Sequence, residues 1–180
     1  MHFGVTGKHR AEKWCKKMRT ITVLIGMLLW ATASTAVAER VDIAVDISKQ
    51  RMNVYVEGHR KYTWKVSTAR KGYSTPSGDY RPQWITRMHY SRKYDNSPMP
   101  YSVFYNGGYA IHGTKYVSRL GRPASHGCIR VHTSNARRLY KLVKKYGKKN
   151  VRIMVRREIN PSMLASTFRG PFSVGNGLFN

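Results

Sequence analysis

Between residues 41 and 68 the chain alternates apolar and polar side chains three times in succession. Val41, Ile43, Val45 and Ile47 make the first run, Met52, Val54 and Val56 the second, and Tyr62, Trp64, Val66 and Thr68 the third. A period of two places every second side chain on one face, the pattern of a half-buried strand. Ser48-Lys49-Gln50 and Glu57-Gly58 separate the runs and leave room only for tight turns. Three such strands in sequence are predicted to pair as an antiparallel meander.

The chain then changes character. Residues 69–80 are rich in Gly, Ser, Thr and Pro, including Thr75-Pro76-Ser77-Gly78, and are predicted to form a loop. Residues 80–94 interleave Tyr80, Trp84, His89, Tyr90 and Tyr94 with Arg81, Arg87, Arg92 and Lys93, a pattern that suits either a lid beside a site or core strands with a solvated face. Pro98 and Pro100 exclude residues 95–100 from a central strand. Asn106-Gly107-Gly108 joins two apolar runs as a hairpin, with His112 at its exit. Ala136, Leu139, Tyr140, Val143 and Tyr146 recur at helical spacing, with Thr133 or Ser134 to cap the start and Gly147 to stop it. Val151, Ile153 and Val155 alternate as a last strand, and residues 159–180 have the composition of an extended or disordered tail. The fold class is mainly β with one main helix.

Residues 1–38 belong to a different category. Lys13, Lys16, Lys17 and Arg19 precede a mostly apolar run over residues 21–30, and Ala36-Val37-Ala38 closes a small-residue stretch. That is the layout of a secretory signal peptide cleaved after Ala38, and the apolar run is too short and too interrupted to span a membrane. The expected organisation is a signal at 1–38, one domain at 39–158 and the tail at 159–180. Six of the 33 Lys and Arg and one of the 8 Asp and Glu lie in residues 1–38, so the mature chain keeps a formal charge of about +20. Such a charge favours polyanionic partners, and an exported protein meets those in the cell envelope rather than as nucleic acid. Cleavage also removes Cys15 and leaves Cys128 without a disulfide partner, which makes it a candidate reactive thiol.

Cys128 sits in Ser125-His126-Gly127-Cys128-Ile129-Arg130, downstream of Ile111-His112-Gly113-Thr114. A thiol becomes a good nucleophile beside an imidazole, and two histidines are within reach. His126 would face the same side as Cys128 in an extended segment, and His112 would approach from a separate strand end. Spacing alone does not rank them. Gly127 would let a carbonyl approach the backbone N–H groups of Gly127 and Cys128, which could hold an oxyanion. The nearest upstream carboxylates are Asp79 and Asp95, so a backbone carbonyl orienting the base is an alternative to a third acidic partner.

His112-Gly113-Thr114, then Gly121-Arg122-Pro123, then Ser125-His126-Gly127-Cys128-Ile129-Arg130 together resemble the motifs of the L,D-transpeptidase catalytic domain family, of YkuD type. The resemblance extends upstream to residues 73–78 and 99–110 and covers most of residues 41–155. It implies a β-sandwich or barrel-like catalytic domain with its main helix after the cysteine, and no cofactor or metal. It implies that Cys128 attacks a peptide stem of peptidoglycan between its third residue and D-Ala, and that an amine of a second stem or of an envelope protein accepts the acyl group. His112 would then be the base, oriented by the Gly113 carbonyl. His126 would shape the site, Gly127 and Cys128 would hold the oxyanion, and Ser125 and Arg130 would brace the loop or meet substrate. Location in the periplasm or cell wall follows from the same resemblance, with no stable membrane span in the mature chain and no nucleic acid as partner.

Three rival readings stay beside it. Water as acceptor would make the enzyme a carboxypeptidase or amidase. His112, His126, Cys128 and His132 are a chemically reasonable zinc set, although their spacing matches no common structural zinc pattern. A non-catalytic basic module that binds the envelope accounts for the charge and leaves the His-Gly and His-Gly-Cys pieces without a purpose.

Overall fold

The computed structural model describes residues 40–160 and 162–164. The expected signal peptide and most of the expected tail lie outside the described residues. The three alternating runs become β1 (Val41–Asp46), β2 (Arg51–Val56) and β3 (His59–Lys65), paired antiparallel as the meander requires. β4 (Gly78–Tyr80) ends the Gly- and Pro-rich loop, and β9 (Val151–Arg156) runs parallel to β1 with Val41 opposite Val151. The order in this five-stranded sheet is β3-β2-β1-β9-β4.

The second sheet has four strands: β5 (Trp84–Ser91), β6 (Ser97–Asn106), β7 (Tyr109–Thr114) and β8 (Ile129–His132), in that order. β6 and β7 form the hairpin expected at Asn106-Gly107-Gly108, where Gly107 takes a positive φ of 51°. β7 and β8 are parallel, with Ile111 opposite Ile129 and His112 opposite Arg130. One helix, α1 (Thr133–Tyr146), follows β8 directly and ends at Gly147, whose φ of 78° few other residues tolerate. The fold is thus mainly β, two sheets with one main helix, as the alternation and the single amphipathic stretch require.

The main core joins both sheets and the helix. Ile43, Val45, Met52 and Val54 from the first sheet meet Val103, Tyr105, Ile111, Ile129 and Val131 from the second, and Ala136, Leu139 and Val143 of α1 complete it. Residues 66–70 link the sheets: Ser67 exchanges two backbone hydrogen bonds with Arg130, each 2.9 Å, and Thr68 accepts from the N–H groups of Ala124 and Ser125. Thr68 is itself fixed by the buried Gln50, whose amide donates to its hydroxyl and accepts from its N–H.

One expectation needs correction. β1 is not half-buried: all six of its residues are buried, Asp42, Ala44 and Asp46 included. Its second face is covered where Ala44, Tyr55, Met154 and Ile159 form a smaller cluster with Leu164 against it. Ile159 N–H also donates to an Asp46 carboxylate oxygen at 3.1 Å. The proline segment is not a central strand, as its two prolines require. Pro98 and Pro100 do lie in β6, opposite Tyr90 and Met88 of β5. β7 reaches β6 only at Val103, Phe104 and Asn106, so the proline half has a strand on one side alone and behaves as a local edge.

Candidate active site

Parity along β7 and β8 divides the second sheet into two chemistries. Ile111, Ile129 and Val131 point into the main core, while Ala110 and His112 on β7 and Arg130 on β8 take the opposite face. Cys128, one residue before β8, shares that face and packs against Met99, Phe104 and Ala110. A cavity of about 730 Å3 opens there, and its lining includes Cys128, His112, His126 and Arg130.

His112 is buried, and its Nδ1 lies 2.8 Å from the carbonyl oxygen of Gly113. A carbonyl only accepts, so Nδ1 carries the proton and Nε2 keeps its lone pair. No carboxylate is needed for this orientation. Asp79 is held by Arg156 at 2.5 Å instead, and Asp95 is an exposed residue of the cavity wall. Burial lowers the His112 pKa to about 4 against the Gly113 hydrogen bond, and the charges of Arg130 and His89 act in the same direction as burial. Burial pushes the Cys128 thiol up, while the Ala110 backbone and Arg130 oppose it. The resting pair is therefore a neutral thiol and a neutral imidazole at neutral pH, rather than a preformed ion pair.

The loop before Cys128 is held from behind. Ser125 is fully buried; its hydroxyl donates to the Cys128 carbonyl at 2.7 Å and accepts from the Gly127 N–H at 3.0 Å. Thr75 Oγ1 donates to the Gly127 carbonyl at 2.9 Å and accepts from the Ala69 N–H at 3.0 Å. Gly127 adopts φ 127°, and a Cβ there would sit 2.5 Å from a Tyr109 ring carbon and 2.7 Å from the Ser74 carbonyl oxygen. Gly113 is confined for another reason: a Cβ would meet Thr133 Cα, at the start of α1, at 2.9 Å. Arg130 Nη1 donates to the Ala124 carbonyl at 3.3 Å and so ties the loop to β8.

Gly127 does not simply clear a path for a substrate carbonyl, because its own N–H is already taken by Ser125. His126 also differs from expectation. The backbone bends between Ser125 and Ile129 instead of extending, and the ring stacks on Tyr94 at 4.3 Å with Tyr73 edge-on at 4.7 Å. Partial burial, Arg70 and Arg130 lower its pKa. His132 is the helix cap, in place of Thr133 or Ser134: its Nδ1 accepts from the Ser134 N–H. Among the described residues no three His, Cys, Asp or Glu side chains are grouped so as to hold a metal ion, so the four-residue zinc set is not assembled.

A further part of the cavity wall was not visible in the sequence. Trp84, His89 and Tyr94 come from the β5–β6 hairpin and line the same space. Trp84 stacks on Phe104 at 3.7 Å and 7°, with His89 edge-on to both rings. The interleaving of aromatic and basic residues over 80–94 was the available signal, and it left lid and core strand equally open. β5 is in fact an edge strand with its tip at the cavity.

A buried histidine oriented by its own neighbour's carbonyl and a cysteine beside the next strand thus line one cavity on a two-sheet β fold, the residue types of a candidate nucleophilic site. A family profile for the L,D-transpeptidase catalytic domain matches residues 40–155, and the chain belongs to that family. No curated protein sequence matches. Solved structures of similar fold include an L,D-transpeptidase from Stackebrandtia nassauensis (24% identity, TM-score 0.58, 71% of this chain and 62% of that one). Another is from Mycobacterium smegmatis (21%, 0.58, 65% and 58%), and a third from Xylanimonas cellulosilytica (24%, 0.55, 66% and 61%). The matched region spans about three fifths of each of these relatives.

Proposed function

We propose that the protein is a peptidoglycan L,D-transpeptidase of the cell envelope, with Cys128 as nucleophile and His112 as general base. The observation that carries this reading is the His112–Gly113 hydrogen bond on β7, which leaves Nε2 unprotonated in the cavity that Cys128 lines. His112 Nε2 takes the thiol proton as sulfur attacks the carbonyl between the third stem residue and D-Ala. The Cys128 N–H receives the oxyanion, and the Gly127 N–H joins it only when Ser125 Oγ lets go. Collapse breaks the C–N bond. His112 returns its proton to the departing D-Ala nitrogen, and a thioester remains on Cys128. An acceptor amine then attacks, gives its proton to His112, and leaves as the new amide while sulfur regains the proton.

One further feature supports a peptide substrate that bears free carboxylates. The cavity wall presents Arg92, Lys93, Lys115 and Arg130 against one acid, Asp95. No helix among the described residues is long and apolar enough to cross a membrane. Export, and release of a signal peptide after Ala38, are part of the proposal. The test mixes the protein starting at Glu39 with a disaccharide-tetrapeptide, using Cys128→Ala as control, and follows products and intact protein by mass spectrometry. Loss of D-Ala that needs Cys128 and yields a dimer supports transpeptidation. Loss of D-Ala without a dimer points to water or a protein as acceptor. A folded protein with no Cys128-dependent change would sink the proposal.

A further inference from the structure

A second cleft, of about 450 Å3, opens at the β4 edge of the five-stranded sheet, and Asp79, Arg81, Gln83, Tyr105 and Arg152 contribute to its walls. Its one carboxylate, Asp79, is neutralised by Arg156. Tyr105 is buried, and its hydroxyl has no hydrogen-bond partner among the described residues. An unpaired buried hydroxyl carries a desolvation cost that a bound acceptor removes. The rim is fastened to the 3₁₀ turn Lys148–Asn150 after α1: Arg81 donates to the Lys149 carbonyl, and Lys148 Nζ to the Gln83 carbonyl at 2.6 Å.

From that turn the exposed side of α1 continues the same charge. Arg137, Lys141 and Lys144, at i, i+4 and i+7, share the face opposite Ala136, Leu139 and Val143. No Asp or Glu occurs between Asp95 and Glu158, and none of the three ion pairs among the described residues involves the helix. Like charges about 5–6 Å apart on a helix repel, so this face costs stability unless an anion lies along it. A bilayer fits less well: α1 exposes no large apolar side chain that could insert.

We propose that the cleft and the basic face of α1 form a second, non-catalytic site for a linear phosphate-bearing polyanion, which lies along the helix and places an oxygen in the cleft. The lining of this cleft shares no residue with that of the cavity at Cys128. The probe is end-labelled inorganic polyphosphate, bound to the full chain and followed by anisotropy across a salt series. Binding weakens as a power of salt concentration, with a log–log slope steeper than about −2 for three or more phosphate contacts. Arg137→Glu/Lys141→Glu/Lys144→Glu weakens binding at least about tenfold. The same charge change at the exposed Arg60, Lys61 and Lys65 on β3, the far edge of the sheet, leaves it within about twofold. Tyr105→Phe weakens binding several-fold without lowering stability, and Cys128→Ala binds as wild type. Equal losses in the two triple variants would reduce the effect to net charge and overturn the proposal, and unchanged binding by Tyr105→Phe would remove the cleft from it. Tighter binding to anionic phospholipid vesicles, or to a duplex oligonucleotide, than to polyphosphate would replace it with a membrane or nucleic-acid surface.

Discussion

The Nδ1–H of His112 donates to the carbonyl of Gly113, the next residue in the chain, at 2.8 Å. The ring is therefore oriented by the strand that carries it. Local backbone geometry does the work that a carboxylate does in a Ser-His-Asp triad. A carboxylate would raise the basicity of the imidazole. A neutral carbonyl does so less, and burial prevails.

The pH dependence of the reaction should record this. As the proposed base, His112 would act only when neutral, and burial holds its pKa at about 4. We expect the acid limb of kcat/KM to fall near pH 4, well below the ordinary histidine value of about 6.5. Rates of thioester formation in the free enzyme between pH 3 and 8 measure it directly. An acid limb at 6.5 would assign the base to a solvated histidine.

The same burial makes stability depend on pH. Below about pH 6.5 the unfolded chain binds a proton at His112 that the folded chain refuses until about pH 4. The sign follows: stability contributed by the neutral, buried ring is whole above pH 6.5 and is lost as pH falls towards 4. The loss amounts to roughly 3 kcal/mol from this residue. Urea unfolding of wild type and His112→Gln at pH 7 and pH 4.5 isolates it, and the variant should lose less between the two.

Ser125 and Gly127 should fail for different reasons. Ser125→Ala removes the hydroxyl that bonds the Cys128 carbonyl and the Gly127 N–H and leaves both unpaired in a buried loop. We expect a loss of about 2–3 kcal/mol, with Ser125→Thr retaining most of it. Gly127→Ala meets the Ser74 carbonyl at 2.7 Å, a backbone atom that no side-chain rotation can move. It should therefore cost more than Ser125→Ala, and Tyr109→Ala should not rescue it. Thermal melts of the single and double variants decide the order.

Ile159 offers a test far from the thiol. It packs on Ala44, Tyr55 and Met154 over the second face of the five-stranded sheet. Ile159→Ala should cost about 2–4 kcal/mol by denaturant unfolding. Cys128 alkylation rates in the folded state should stay unchanged.

What could be read from the sequence was what depends on near neighbours. The meander follows from alternation at Val41 to Val66, the hairpin from Asn106-Gly107, and the helix from Ala136, Leu139 and Val143 with Gly147 as its end. Of the residues that line the cavity from β7 and β8, His112, Arg130 and the adjacent Cys128 were named from the motifs. The misreadings involve distant partners or backbone that local rules do not describe. Nothing near β1 announces that Ile159, more than a hundred residues on, covers its other face. Pro98 and Pro100 ruled out a central strand, and what they could not announce is that a half-length β7 leaves room there for an edge pairing with β5. His126 was placed by assuming an extended segment, which Gly127 at φ 127° bends away. Trp84, His89 and Tyr94 join the site through the pairing of β5 with β6, which sets Trp84 beside Phe104, a register that local spacing does not give.

β1 lies between β2 and β9, so the centre of the five-stranded sheet pairs residue 41 with residue 151. A growing chain can form the meander early, but β1 keeps one open edge until β9 has been made, about 110 residues later. Loop-closure entropy must be met before that pairing rewards it, which makes this the slow event of folding. Cys128 has emerged well before then, while Val151, Ile153 and Val155, which complete the core beneath its strand, have not. During synthesis the thiol is an ordinary exposed cysteine. Its half-buried, raised-pKa state begins only when the last strand docks, so completion of the chain takes the thiol from ordinary reactivity to a neutral form that needs a base to act.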